Sequence, residues 1–305
     1  MNGAADLFPG FDTRAIDTGK VKLHVRTGGT GPPLLLLHGY PQTHAVWHKV
    51  AGPLAERFTV VAPDLRGYGR SSCPPDDLDH RAYAKRTMAD DMARLMAALG
   101  FTSYFVMGHD RGARVAYRLA LDHSDRVARL VVLDIMTTWD QWQPDQQATR
   151  HRIVHWAFLA QPAPIPETLI GRDPTAWLEG RLKRGTRARS LEAFDPKALA
   201  SYGEGLSDRD RVHATCEDFR ASASCDLSDD GADRSLGRRI VCPTLVLWGS
   251  SGSLADVADP VALWRPWCLT VSGRAIDCGH FIPEEHPAAL LDAVLPFLVS
   301  VETTT

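Results

Sequence analysis

The chain has 305 residues, enough to bury one large hydrophobic core in a single domain or in a domain with an insertion. Its hydrophobic share of 44% is ordinary for a globular protein, and its formal net charge of −3 leaves no basic surface for nucleic acid or an anionic membrane. Six scattered cysteines lack metal-site spacing, so we expect reduced thiols and no bound metal. The first residues lack the regions of a secretory signal, and we expect a cytoplasmic protein that does not contact membranes.

Short apolar runs recur along the chain, and each is followed by a loop and a stretch with helical spacing. They lie at 34–37, 58–62, 104–107, 130–133 and 244–248. Continuous apolar runs of this kind are typical of strands that are buried on both faces of a parallel sheet. Functional side chains are then expected just past the carboxyl ends of the strands, where His38, Asp64, Asp110 and Asp134 fall.

The strand pattern stops between residues 138 and 235. This segment is rich in Trp, Gln, Arg and Ala, has helical spacing with scattered prolines, and lacks strand-like runs. Strand patterning resumes at Arg239-Ile240-Val241. We therefore predict a core domain of residues 1–137 and 236–305 and a helical cap domain of residues 138–235. A cap over the strand ends would exclude water, which strengthens interactions between charges.

The stretch from Gly108 to Gly112 has the form of a nucleophile elbow, G-x-Nu-x-G, with Asp110 in the position of the nucleophile. A carboxylate is ionised at neutral pH and can displace a leaving group from an sp3 carbon, giving an ester that water must then cleave. Arg111 and Arg114 place two cations beside Asp110, as a substrate carboxylate would need. The five-residue pattern also arises by chance, and both arginines could instead pair with helix carboxylates.

Four motifs, in their order and spacing, resemble the aspartate-nucleophile branch of the α/β-hydrolase fold. That branch holds epoxide hydrolases, haloalkane dehalogenases and fluoroacetate dehalogenases. The motifs are His38-Gly39-Tyr40-Pro41-Gln42, Asp64-Leu65-Arg66-Gly67-Tyr68-Gly69-Arg70-Ser71, Gly108-His109-Asp110-Arg111-Gly112 and Cys278-Gly279-His280-Phe281. The resemblance runs from about residue 11 to residue 298. It implies an α/β fold with a mostly parallel central sheet and an inserted helical cap, no cofactor, and a homodimer.

Within this branch the chain resembles the fluoroacetate dehalogenases. Arg111 follows the nucleophile, where epoxide hydrolases and haloalkane dehalogenases usually have Trp. The resemblance implies hydrolysis of a haloacetate or small 2-haloacid, such as fluoroacetate or chloroacetate, to glycolate and halide. In this reaction Asp110 attacks the carbon that carries the halogen. Arg111 and Arg114 bind the substrate carboxylate, and His155 and Trp156 bind the halide.

The resemblance also implies the roles for the second half of the reaction. His280 is the general base that activates water, and Asp134 orients His280. The backbone N–H groups of Tyr40 and Arg111 form the oxyanion hole. Asp256, in the loop after a later strand, is the alternative acid.

Two positions depart from the fluoroacetate dehalogenase pattern. Phe219 stands where that family has a tyrosine as a third halide donor, and losing one donor costs on the order of 1–3 kcal/mol. Gly185 stands where family members often have Trp, which predicts a wider pocket and larger or chlorinated 2-haloacids.

Two other functions stay open. An epoxide hydrolase would share the core of nucleophile, base and acid, although Phe219 and the Arg111 cation count against it. A non-catalytic hydrolase-fold protein would bind a small ligand, although binding alone does not require all three groups.

Overall fold

The computed structural model describes residues 6–143 and 154–300, and its centre is an eight-stranded sheet in the order β1-β2-β4-β3-β5-β6-β7-β8. The strands are β1 Asp12–Asp17, β2 Lys22–Gly28, β3 Pro33–Leu37, β4 Thr59–Pro63, β5 Tyr104–His109, β6 Val127–Leu133, β7 Thr244–Gly249 and β8 Val271–Ile276. Strand β2 pairs antiparallel with β1 and β4, and every other pairing in the sheet is parallel. The predicted α/β fold with a mostly parallel sheet is therefore confirmed.

The five apolar runs of the sequence correspond to the central strands β3 to β7. Leu34 and Leu36 belong to one hydrophobic core, while Leu35 and Leu37 belong to the other, because successive side chains of a strand point to opposite faces. Strands β1, β2 and β8 lack such runs, because they lie at or next to the sheet edges and expose part of their side chains. The segment predicted to resume the strand pattern contributes only an isolated bridge from Ile240, and β7 begins at residue 244.

Helices cover both faces of the sheet and supply the other half of each core. One face carries α1 His48–Ala55 and α13 Pro287–Val299, and the other carries α2 Lys85–Ala98 and α3 Arg111–Asp122. Two short helices, α11 Pro260–Trp264 and α12 Ile282–Glu285, lie near β8 in the chain. No helix within the described ranges has the length and apolar run needed to cross a bilayer.

Between β6 and β7 the described residues form helices and contain no strand. These helices are α4 Thr138–Gln141, α5 Val154–Leu159, α6 Ile165–Ile170, α7 Pro174–Gly185, α8 Pro196–Leu206, α9 Arg209–Ala223 and α10 Cys225–Ser235. Residues 144–153 of the predicted cap lie outside the described residues. The domain boundaries at 137/138 and 235/236 stay a prediction.

The turn between β5 and α3 brings helix α3 unusually close to strand β3. Asp110 in this turn has φ 49° and ψ −117°, a conformation that residues with a side chain rarely adopt. A Cβ on Gly112 would lie 2.3 Å from the carbonyl oxygens of Leu37 and His38, so only glycine fits there. The strand, turn and helix predicted from the G-x-Nu-x-G pattern are present.

We expect Gly112→Ala to destabilise the fold by about 2–3 kcal/mol, because the new methyl group meets backbone that cannot move aside. Gly180→Ala is the matched control: Gly180 lies in α7 with open space around its Cβ position. This control should raise the free energy of unfolding by about 0.5–1 kcal/mol, because alanine favours helix. Urea denaturation measures both changes, and equal midpoints for the two variants would contradict the packing argument.

Candidate active site

Most of the predicted site residues line one cavity of about 180 Å3 at the carboxyl edge of the sheet. They are Tyr40, Asp110, Arg114, Asp134, His155, Trp156 and His280. The loops after β3, β5, β6 and β8 supply Tyr40, Asp110, Asp134 and His280, while α5 supplies the His-Trp pair. Residues far apart in sequence therefore meet at this edge, as expected for a parallel sheet.

The Asp110 carboxylate is 9% exposed and held from two sides. Its Oδ1 accepts a hydrogen bond from the backbone N–H of Tyr40 at 2.9 Å, and its Oδ2 lies 3.6 Å from Nε2 of His280. Burial disfavours its charge, but His280, His109 and Arg111 together hold the pKa of Asp110 well below its ordinary value. The group is therefore ionised and does not need a base to activate it.

His280 lies between two carboxylates. Its Nδ1–H donates to Oδ2 of Asp134 at 2.6 Å, and Nε2 is directed to Asp110. Burial opposes an imidazolium, but the two carboxylates outweigh it and raise the pKa of His280 to about 10. Esterification of Asp110 would remove one of these charges, which would lower the pKa of His280 and make it a base.

The carboxylate hydrogen-bonded to Nδ1 of His280 is that of Asp134. This residue ends β6 at φ 54°, and its carboxylate accepts the backbone N–H groups of Gly249 at 3.0 Å and Ser253 at 2.7 Å. The loop after β7 thus holds Asp134 in place. Among the described residues, the carboxylates within 4.0 Å of the His280 ring are Asp110 and Asp134, and the alternative Asp256 is not one of them.

Two other residues at strand ends stabilise the loops around the site. His109 contacts the carbonyl oxygen of His280 through Nε2 at 2.9 Å, and burial together with the charge of His280 lowers the pKa of His109 to about 4. Asp64 accepts the backbone N–H groups of His44 at 2.8 Å and Arg70 at 2.9 Å, which closes the turn after β4. Both side chains are thus engaged in contacts that hold these loops in place.

Arg114 is a buried cation on the cavity wall. It is 1% exposed, donates through Nη1 to Oγ1 of Thr138 at 3.0 Å, and stacks with its guanidinium carbon 4.3 Å from the centre of the Trp156 ring. No carboxylate in the described part of the chain lies within ion-pair distance of it. A buried charge without a partner is costly, so this position favours an anionic ligand.

Arg111, unlike Arg114, forms an ion pair with a buried carboxylate. Its Nε and Nη2 donate to the Asp218 carboxylate at 2.9 and 2.6 Å, and Nη2 also donates to Ser222 at 2.7 Å. Its side chain is not part of the cavity lining, and Nη1 is buried and has no hydrogen-bond partner among residues 6–143 and 154–300. Arg111 therefore has one nitrogen, Nη1, free to donate, and its role in binding a substrate carboxylate stays a prediction.

The backbone N–H of Arg111 makes no hydrogen bond to Asp110, so its part in the oxyanion hole also stays a prediction.

His155 and Trp156 pack against Phe219, with ring centroids 5.9 and 5.7 Å apart. Nη2 of Arg181 lies 3.2 Å from Nε2 of His155, so Nε2 is the acceptor and the ring proton is on Nδ1. Burial and Arg181 hold the pKa of His155 well below its ordinary value, which keeps the ring neutral. Within the described chain, Nδ1 of His155 and the indole N–H of Trp156 have no hydrogen-bond partner.

The cavity also contains side chains that sequence reasoning missed. The hydroxyl of Tyr40 accepts the indole N–H of Trp177, and its own proton has no acceptor among residues 6–143 and 154–300. Arg181 lines the same cavity as the predicted halide pair. Arg181 and Arg184 lie one helical turn apart near the end of α7. This spacing could have predicted, from the sequence alone, a helix end that carries two cations.

Gly185 lies at the end of α7 and lines the cavity. Its carbonyl oxygen accepts the backbone N–H of His280 at 2.8 Å, and a Cβ there would lie 2.4 Å from the ring of Phe281. Glycine therefore lets α7 approach the loop that carries His280. The wider pocket expected from this glycine stays a prediction.

Comparison with known proteins places the chain in a family. The family model for the alpha/beta hydrolase fold matches residues 32–287. The chain is 41% identical to a fluoroacetate dehalogenase from Burkholderia sp over 281 residues, covering 92% of this chain and 91% of that protein. It is 32% identical to a soluble epoxide hydrolase from Corynebacterium sp. (strain C12) over 278 residues, covering 90% of this chain and 93% of that protein.

Solved structures agree with this placement. A crystal structure from Nostoc sp PCC 7120, described as an alpha/beta hydrolase, superposes with a TM-score of 0.92 at 46% identity, covering 95% of this chain and 99% of that one. The chain belongs to the α/β-hydrolase fold family.

We expect Asp110→Asn to lower the pKa of His280 from about 10, because a carboxylate within 4 Å favours the imidazolium and an amide does not. Titration of ¹⁵N-labelled histidine followed by NMR measures this shift. Asp90→Asn is the control: Asp90 pairs with His123 at an exposed position, so its removal should leave His280 unchanged. A pKa of His280 that stays near 10 in Asp110→Asn would contradict the coupling.

Proposed function

We propose that this protein hydrolyses a haloacetate or small 2-haloacid to the 2-hydroxy acid and halide through an ester on Asp110. The main support for this proposal is the set of charged groups that line one cavity. An ionised carboxylate with an adjacent base lies in the same cavity as Arg114, a buried cation that pairs with no carboxylate of the described chain. The 41% identity to a fluoroacetate dehalogenase supports the same reaction class.

In the first step, the Asp110 carboxylate attacks the carbon that carries the halogen, and the halide leaves with the bonding electron pair. Arg114, which lines the cavity, binds the substrate carboxylate and orients the carbon toward Asp110. A substrate without an anionic group would leave Arg114 uncompensated, which is why we favour a haloacid over a neutral halide.

In the second step, water attacks the carbonyl carbon of the Asp110 ester. His280 accepts the proton through Nε2, and Asp134 stabilises the imidazolium that forms. The backbone N–H of Tyr40, already bonded to Oδ1 of Asp110, stabilises the developing oxyanion. Cleavage of the acyl C–O bond releases the 2-hydroxy acid and regenerates Asp110.

The departing halide would be bound by N–H and O–H donors. His155 and Trp156 each offer a ring N–H without a protein acceptor in the described chain. Phe219 offers none, but Tyr40 packs edge-on against it at 5.3 Å and carries a hydroxyl proton that lacks an acceptor there. We assign the Tyr40 hydroxyl as the third donor.

Epoxide hydrolysis is the second candidate, and the Tyr40 hydroxyl favours it as well, since it could protonate the opening oxygen. The 32% identity to a soluble epoxide hydrolase supports this alternative. The two reactions share the ester on Asp110 and differ in the leaving group. The cavity cation Arg114 has no partner in an epoxide, which is why we place this function second.

The deciding experiment measures halide release from fluoroacetate and chloroacetate, with styrene oxide as the epoxide probe and Asp110→Asn as the control. We expect halide from at least one haloacetate and none from the control. Turnover of the epoxide alone would reject the dehalogenase and favour the second candidate. No turnover of any of the three substrates would reject both reactions and favour a protein that binds a small ligand without catalysis.

We expect the reaction of the His280→Ala variant to stop after the first step, because no base remains to activate water for cleavage of the Asp110 ester. Incubation with chloroacetate should then add the mass of one carboxymethyl group to the protein, and peptide mass spectrometry should place it on Asp110. His286→Ala, which removes another imidazole near the chain's end, should turn over without an adduct. Full turnover by His280→Ala would contradict the role of the base.

We expect Tyr40→Phe to lower kcat for fluoroacetate by about tenfold and for chloroacetate by much less. Fluoride concentrates its charge more than chloride and depends more on each hydrogen-bond donor. Trp177→Phe is the companion variant, because it removes the N–H that holds the Tyr40 hydroxyl but leaves the hydroxyl itself. Equal losses on both substrates in Tyr40→Phe would point to packing and not to a halide donor.

A further inference from the structure

The end of helix α7 and the turn after it place three more arginines on the wall of the same cavity, namely Arg181, Arg184 and Arg189. None of the three lies within ion-pair distance of a carboxylate in residues 6–143 and 154–300. The other cations of this segment are neutralised, since Lys183 pairs with Glu179 at 2.7 Å and Arg187 pairs with Asp277. The cations left without a partner are thus those that line the cavity.

Arg181 is the most enclosed of the three. Its Nη2 is directed to His155, but its Nε is buried and has no hydrogen-bond partner in the part of the chain that the structure describes. Burial lowers its pKa, and the groups that oppose this effect are Tyr40 and Asp110, neither of which forms an ion pair with it. An anion bound in the cavity would supply the missing partner.

The end of α7, which carries Arg184, and the turn after it, which carries Arg189, are held by backbone contacts without any ligand. Arg189 has φ 54°, in the left-handed region, and its Nη1 donates to the carbonyl oxygen of Arg184. The hydroxyl of Thr186 accepts the backbone N–H of Ser190 at 3.2 Å, and the backbone N–H of Arg187 donates to Glu285 at 2.8 Å. Ordering this turn therefore adds little to the entropic cost of binding.

Cationic groups outnumber carboxylates on the cavity wall. Four guanidinium groups and one imidazolium lie with the two carboxylates of Asp110 and Asp134, and the side chains of Arg184 and Arg189 are also open to solvent. A haloacetate brings one negative charge, which Arg114 takes in the proposed reaction. Gly185 lies among the three arginines in sequence and leaves this part of the wall without a side chain.

We propose that this cavity takes 2-halo dicarboxylates, with the second carboxylate bound by Arg181, Arg184 and Arg189. This inference rests on the proposed dehalogenation. For 2-chlorobutanedioate, Asp110 forms the ester bond at C2 as chloride leaves with its electron pair. Water then cleaves the ester and gives 2-hydroxybutanedioate, chloride and one proton. The C1 carboxylate lies on Arg114, and the C4 carboxylate lies on the three arginines.

The test compares 2-chlorobutanedioate with 2-chlorobutanoate, which has a methyl group in place of the second carboxylate. We expect the wild-type protein to favour the diacid in kcat/KM by at least tenfold. Arg184→Gln should lower this diacid-to-monoacid ratio about tenfold, and Arg181→Gln should lower it as well. Lys183→Gln is the matched control, because it removes the same charge from the same helix turn outside the cavity, and it should keep the ratio.

Three outcomes would overturn the diacid site while leaving the proposed function intact. The first is turnover of chloroacetate without preference for the diacid. The second is an equal loss on both four-carbon acids in Arg184→Gln, which would indicate general attraction of anions to the cavity mouth. The third is the same change in ratio for Lys183→Gln.

A binding measurement keeps the two proposals separable if no haloacid is turned over. Calorimetric titration of succinate and of butanoate into the wild-type protein does not depend on catalysis. Tighter binding of succinate, weakened in Arg184→Gln and retained in Lys183→Gln, would support the dianion site while rejecting the dehalogenase. Equal or absent binding of both acids would reject the dianion site.

Discussion

A charged carboxylate buried at the carboxyl edge of the sheet is the constraint on which the rest of this structure depends. Asp110 stays ionised there because a backbone N–H and the nearby His280, His109 and Arg111 compensate its charge. The turn that presents it is possible because Gly112 lets α3 start in contact with β3. Fold and chemistry are therefore set by the same few residues of the elbow.

The same buried charge also couples the pKa of Asp110 to that of His280. His280 lies between Asp110 and Asp134, and both raise its pKa. His280 is thus protonated while Asp110 is ionised. In the proposed reaction, an ester on Asp110 would lower the pKa of His280 and free it to accept a proton, so these three groups would order the two chemical steps.

The helices between β6 and β7 contribute charge as well as cover. Asp218 of α9 binds both Arg111 and Lys85 of the core, and these two cations hold the pKa of Asp218 well below its ordinary value although burial opposes this. This buried ion pair fixes α9 against the elbow and uses most of the donors of Arg111. Within the described residues the cavity-lining arginines have no carboxylate partner, so Arg114 and the end of α7 are the cations that an anionic ligand would meet.

The sequence by itself determined the sheet, the elbow and the identity of the nucleophile, base and acid candidates, because strand ends and G-x-Nu-x-G are local patterns. It missed the edge strands, whose half-exposed residues give no apolar run. Only the tertiary structure decided which arginine is free, since Asp218 lies 107 residues from Arg111 in the chain. It also brought the Tyr40 hydroxyl and Arg181 to the cavity, because long-range packing and not local spacing sets where side chains from β3 and α7 meet.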